Sequence, residues 1–160
     1  MKGKWAEGIE PRNFVWVIKD ALATCERPGG YGEHHRRVRR QEEIIWVRQH
    51  RFDVVYSLIA GSHNLHNYEE LGMPFRHRPW PLHDQLAQYM EVLFTEIRGA
   101  VNAGLRVLVH KEEVDERLCG VMAAYLLWAG LVPDGPQVTA IAERIFQQRL
   151  GPHGLSLIHI

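Results

Sequence analysis

At 160 residues the chain is long enough to bury a real hydrophobic core within one domain. Its hydrophobic fraction of 46% and charged fraction of 24% are typical of soluble globular proteins. The chain has 19 lysines and arginines together and 19 aspartates and glutamates together. No overall charge therefore directs it to nucleic acid or to a membrane.

The cysteines and the apolar segments indicate the cellular setting. Two cysteines, Cys25 and Cys119, argue against a disulfide framework. No N-terminal stretch has the pattern of a signal peptide, and no apolar run approaches membrane-spanning length. We therefore expect a cytoplasmic protein that does not enter the membrane.

The first half of the chain alternates between strand and helix patterns. Short apolar runs rich in β-branched and aromatic residues predict strands, and the segment 33–51, basic at its front and apolar at 44–47, predicts a helix. In order, we predict strands at 13–18 and 22–25, a turn at 28–30, a helix at 33–51, a strand at 53–59, a short helix at 64–71 and a strand at 75–78.

The second half predicts three helices around one buried strand at 105–110. Asp84 can cap a long helix that ends at Gly104. Pro136 lies near the first turn of the last helix. The apolar faces predicted for these three helices are, in order, Leu86, Met90, Leu93, Ile97 and Val101; Leu118, Val121, Met122, Tyr125 and Leu126; and Val138, Ile141, Ile145 and Phe146.

Alternating strands and helices predict an α/β fold. We expect a single three-layer domain over residues 1–154, with a mostly parallel central sheet flanked by helices on both faces. Ligands of such folds bind at the carboxyl ends of the strands, so the turn after His110 is the expected place for chemistry.

The apolar tail at 155–160 follows a break at 151–154 and has no evident packing partner. The end of the chain also resembles a translated sequencing adapter, which implies that the natural chain continues differently. We assign the tail no function.

Four segments together resemble the atypical dual-specificity phosphatases, which are cysteine-dependent enzymes of the protein tyrosine phosphatase superfamily. The segments are 13–18, the turn at 27–30, 54–58 and 77–81, and the resemblance extends to about Gly151. It implies a phosphatase-like fold in which the strand–loop–helix turn at 107–120 carries His-Cys, five residues and then Arg.

This turn matches the family at His110 and Arg117, but Lys111 stands at the position of the cysteine. In the family a thiolate of low pKa attacks phosphorus, while backbone N–H groups, a helix N-terminus and the arginine hold the phosphate oxygens. Lysine cannot replace the thiolate, because its amine is protonated near neutral pH unless it is strongly desolvated.

Other positions of the turn also depart from the family. Val114 replaces a small residue and crowds the close backbone approach of a phosphate, and Leu118 replaces a hydroxyl residue that assists turnover. A carboxylate about 4 Å from a bound phosphate repels it, which costs roughly 1–4 kcal/mol near a protein surface. A phosphate would meet four acids in the cradle, namely Glu112, Glu113, Asp115 and Glu116.

The loop that supplies the family's general acid is also altered. If Pro81 is aligned with the family's proline, Leu82 falls where the acid belongs, and the nearest carboxylate is Asp84. Capping the following helix is the role that we favour for Asp84.

The residues of the turn also have structural interpretations. Lys111 either fills the anion pocket and pairs with a neighbouring acid or points to solvent. Asp115 and Glu116 suit the first turn of a helix because of the helix dipole, and Arg117 can be salt-bridged to an acid. His110 matches a family residue that orients the loop.

Three further features are less specific. Cys25 and Cys119 are expected to be packed core residues. The spacing of His63, His66, His77, His83 and His110 is not a strong zinc pattern, so we predict no metal and no cofactor. The basic segment 34–40 lies close to Glu33, Glu42 and Glu43 and has no interleaved aromatic residue, which favours a salt-bridged helix face over nucleic-acid binding.

We therefore predict a catalytically inactive phosphatase-like protein, a pseudophosphatase, with a binding or regulatory role toward a protein or small-molecule ligand. One alternative is an active enzyme of altered, non-cysteine chemistry that uses Lys111, Glu112 or Glu113 as a base. The other is polyanion or nucleic-acid binding through Arg36, Arg37, Arg39 and Arg40. The sequence indicates neither the partner nor the oligomeric state.

Overall fold

The structure is a computed structural model that describes residues 8–30 and 36–160. The chain forms two compact units, one made of residues 1–80 and 100–113 and the other of residues 81–99 and 114–160. The first unit contains the whole sheet, and the second contains most of the helical residues that follow it.

Five strands of the first unit form one sheet in the order β1-β2-β5-β3-β4. Only β1 and β2 pair antiparallel, and every other pair is parallel, as the sequence predicts. The strands are β1 (Val15–Ile18), β2 (Leu22–Glu26), β3 (Val54–Ser57), β4 (Phe75–His77) and β5 (Val107–Lys111).

The central position of β5 explains its composition. It pairs with β2 on one side and β3 on the other, and all five of its residues are buried. Its last two residues, His110 and Lys111, lie opposite Cys25 and Glu26 of β2. The carboxyl ends of these parallel strands therefore meet at one edge of the sheet.

Two helices, α1 (Arg37–Gln49) and α2 (His66–Glu70), belong to the first unit. The predicted start of α1 at 33–35 lies outside the described residues, and the helix ends two residues before Arg51, which has a positive φ of 64°. Spacings of three and four along α1 bury Arg40, Glu43, Ile44 and Val47. Ile44 and Val47 belong to a core that also contains Val55 and Leu108.

The remaining helices include the three predicted for the second half and one more, α6, that was not predicted. They are α3 (Leu86–Asn102), which follows a 3-10 turn at His83–Gln85 and runs into the first unit, then α4 (Glu116–Trp128), α5 (Gly135–Phe146) and α6 (Pro152–Ile158). The predicted face of α3 is buried from Leu86 to Ile97. None of the helices within 8–30 and 36–160 is both long and apolar enough to cross a membrane.

Helix α5 begins as predicted but buries a different stripe. Asp134 caps it by accepting a hydrogen bond from the N–H of Gln137 at 2.8 Å. The buried residues are Val138, Ala142 and Phe146, which are spaced four apart. The expectation that Ile141 is buried is wrong, because it lies beside this stripe and is 36% exposed.

The end of the chain also differs from the prediction. Pro152 does not break the chain, because as the first residue of α6 it needs no helical hydrogen-bond donor. Leu157 and Ile158 are buried, and α6 packs on α4 so closely that a Cβ on Gly120 would lie 2.6 Å from the carbonyl oxygen of Gly154. The tail therefore has a packing partner within the second unit.

This close approach predicts that Gly120→Ala lowers the free energy of unfolding by about 1–3 kcal/mol, because the methyl group fits only if α6 moves. The matched control is Gly99→Ala in α3, where an added Cβ meets nothing within 4 Å. The control should raise the free energy of unfolding by about 0.5–1 kcal/mol. Urea denaturation measures both, and equal effects would contradict the close packing of α4 and α6.

Candidate functional site

The strand–loop–helix turn expected after His110 is present. His110 and Lys111 are the last residues of β5, residues 112–115 form the connection, and α4 begins at Glu116. The first unit contains the turn as far as Glu113, and the second contains the rest.

Lys111 is buried at the end of β5 and is 7% exposed, so the interpretation that it points to solvent is wrong. Its Nζ lies 4.6 Å from the centroid of the Trp80 ring. Trp80 is held in turn by its backbone N–H, which donates to the carbonyl oxygen of Leu58 at 3.2 Å. The face of an indole attracts a cation, so the ring of Trp80 is a favourable neighbour for a charged lysine side chain.

His110, the residue before Lys111, makes two further contacts at the end of β5. Its Nε2 lies 2.8 Å from the hydroxyl of Tyr68, and its Nδ1 lies 3.4 Å from the carbonyl oxygen of Lys111. Burial lowers the pKa of His110 from 6.5 to about 4, and the nearby guanidinium of Arg27 adds to the effect. His110 is therefore neutral near pH 7, and its contacts support the predicted role in orienting the loop.

Glu112 connects two loops at the carboxyl edge of the sheet. Its Oε1 accepts a hydrogen bond from the N–H of Ala60 at 3.1 Å, and Ala60 lies in the loop that follows β3. The carboxylate thus bonds to a backbone donor of its own unit. Glu113 is exposed.

The two acids of the second unit have the predicted role at the helix start. Asp115 is the N-cap of α4, and its Oδ1 accepts from the N–H of Leu118 at 2.9 Å. Glu116 lies in the first turn, and its carboxylate packs against Gly151 at the start of α6. Both carboxylates lie at positive ends of helix dipoles.

Arg117 lies in the first turn of α4. Its side chain is exposed on the first turn of α4, and among the described residues it forms no ion pair with an acid. Within 8–30 and 36–160, the salt bridge predicted for Arg117 is therefore not formed.

The backbone of the turn lacks one feature of many anion cradles. Cradles built from successive N–H groups commonly alternate right-handed and left-handed residues. From His110 to Arg117, all of them described residues, none has a positive φ angle. Val114 is half-buried there, and its carbonyl oxygen accepts from Nε2 of Gln148 at 3.4 Å.

Asp84 is not the N-cap of α3, contrary to the prediction. It lies inside the 3-10 turn that precedes the helix, and the residue before that turn is Leu82, which makes no capping hydrogen bond. The short turn satisfies the first backbone donors itself, so no side chain is needed. Asp84 is exposed and belongs to the second unit.

Neither cysteine has the properties of a reactive nucleophile. Burial raises the pKa of Cys25 well above its ordinary value and raises the pKa of Cys119 to about 12. Both thiols are therefore protonated and buried, as expected for packed core residues.

Two of the histidines that we considered as metal ligands have other partners. His110 contacts Tyr68, and Nε2 of His77 lies 2.9 Å from the carbonyl oxygen of Ile59. His83 belongs to the second unit. Within the described residues, no three His, Cys, Asp or Glu side chains are grouped as metal ligands would be.

The basic segment is only partly a solvated helix face. His34 and His35 lie outside the described residues. Arg39 forms the predicted kind of ion pair, with its Nε 2.6 Å from Oε2 of Glu43. Arg40 is instead buried, and its Nε donates to Oδ1 of Asn67 at 2.6 Å.

Sequence reasoning missed the residues that surround Lys111 and His110. Trp80 was noted only as part of the segment 77–81, and Tyr68 and Ala60 were not singled out. A signal was available for Trp80, because residues just after β4 lie at the same sheet edge as the end of β5. Tyr68 could not be found this way, since its contact depends on how α2 packs.

Comparisons with known proteins identify the fold. No family model matches the chain, and no curated protein matches it. Among solved structures, a kinase associated phosphatase with serine in place of its catalytic-site cysteine has a TM-score of 0.75 at 16% identity, covering 93% of both chains. The active form of Tk-PTP has a TM-score of 0.72 at 17% identity, covering 92% of this chain and 94% of that one. Human DUSP28 has a TM-score of 0.67 at 16% identity, covering 94% and 95%. The chain therefore has the phosphatase fold that the sequence predicts.

The buried state of His110 predicts a loss of stability in acid. The unfolded chain binds this proton near pH 6.5 and the folded chain only near pH 4, so stability falls as the pH drops between these values. The shift corresponds to about 3 kcal/mol in total. His110→Asn should remove this part of the pH dependence in urea denaturation at pH 7 and pH 4.5, whereas His83→Asn, at an exposed position, should retain it. An unchanged pH dependence in His110→Asn would contradict the assignment.

Proposed function

We propose that this phosphatase-fold chain is a pseudophosphatase, which binds a protein or small-molecule ligand and does not hydrolyse phosphate esters by the cysteine route. The observation that carries the proposal is the residue at the end of β5. The sequence pattern puts Lys111 at the position of the attacking sulfur, and its side chain is buried there against Trp80.

The chemistry at this position supports the proposal. Attack on phosphorus needs an unprotonated nucleophile, and a thiolate meets that need near neutral pH. A lysine ammonium has no lone pair to donate, and the amine of Lys111 lies against the face of the Trp80 ring, which suits a cation. The same contact argues against the alternative in which Lys111 acts as a general base.

The neighbouring acids support it as well. Asp115 is committed to capping α4, and Glu112 to the backbone N–H of Ala60. Each carboxylate takes a backbone donor that would otherwise be available to an anion, and each adds a negative charge to the loop. Arg117, which would hold phosphate oxygens in the family, is exposed.

The proposal includes a cytoplasmic location and a role in binding. Both cysteines are free thiols, which suits a reducing compartment. We infer that an intact phosphatase fold without the nucleophile acts through the surface around the turn, as a binding or regulatory element.

The direct test is hydrolysis of p-nitrophenyl phosphate and of phosphopeptides by the purified chain. We expect no turnover above the buffer rate and no difference between the wild-type chain and Arg117→Ala. Turnover in the wild type that Arg117→Ala abolishes would defeat the proposal.

A second variant, Lys111→Cys, tests whether Lys111 is the only residue that prevents turnover. Lys111→Cys should remain without measurable turnover, because Val114, Leu118 and the acids of the loop still disfavour a bound phosphate. Circular dichroism should first show that the variant is folded. Substantial hydrolysis by Lys111→Cys would mean that the cradle is intact and that only the nucleophile is missing.

A further inference from the structure

We draw no further inference here: the strongest candidate, the apolar outer edge of the terminal strand β1 (Val15–Ile18), carries nothing, because within the described parts of the chain nothing in the structure shows what covers that edge.

Discussion

The burial of the last residue of β5 is the constraint on which the site depends. β5 pairs with parallel strands on both sides, so whatever residue ends it lies at the sheet edge and is shielded from water. A buried charge is costly unless a partner compensates it. Trp80 is such a partner, and it is available because the chain beyond β4 crosses the carboxyl end of β3, where Trp80 bonds to Leu58. The ammonium of Lys111 is therefore an integrated part of the fold.

The carboxylates of the turn also make contacts within the fold. Asp115 begins α4, Glu112 connects the loops after β5 and β3, and Glu116 packs at the start of α6. Backbone N–H groups must find acceptors, and in this turn side-chain carboxylates accept from those of Leu118 and Ala60. A loop that satisfies donors with its own acids has less need of an external anion. Each of these three carboxylates thus has a contact within its own unit.

Periodicity and strand composition were sufficient to predict the sheet and most of the helices, because buried runs such as β5 and the apolar face of α3 leave a clear pattern. The Asp115 cap was predictable because its chemistry is local. Predictions that needed packing detail were wrong: α5 buries Ala142 in place of Ile141, and Asp84 lies within a 3-10 turn. The surroundings of Lys111 could not be derived either, since they depend on contacts between distant segments.

The contact between Lys111 and Trp80 has an optical consequence. Indole emission responds to charge close to the ring, and here a fixed ammonium lies 4.6 Å from the ring centroid. Two other tryptophans, Trp16 and Trp46, lie in a separate aromatic cluster around Phe14, and Trp128 has Arg98 over its ring. Any event that draws the Lys111 amine off Trp80 changes the fluorescence of that one indole. The fluorescence of Trp80 can therefore follow the position of the Lys111 amine without an added label.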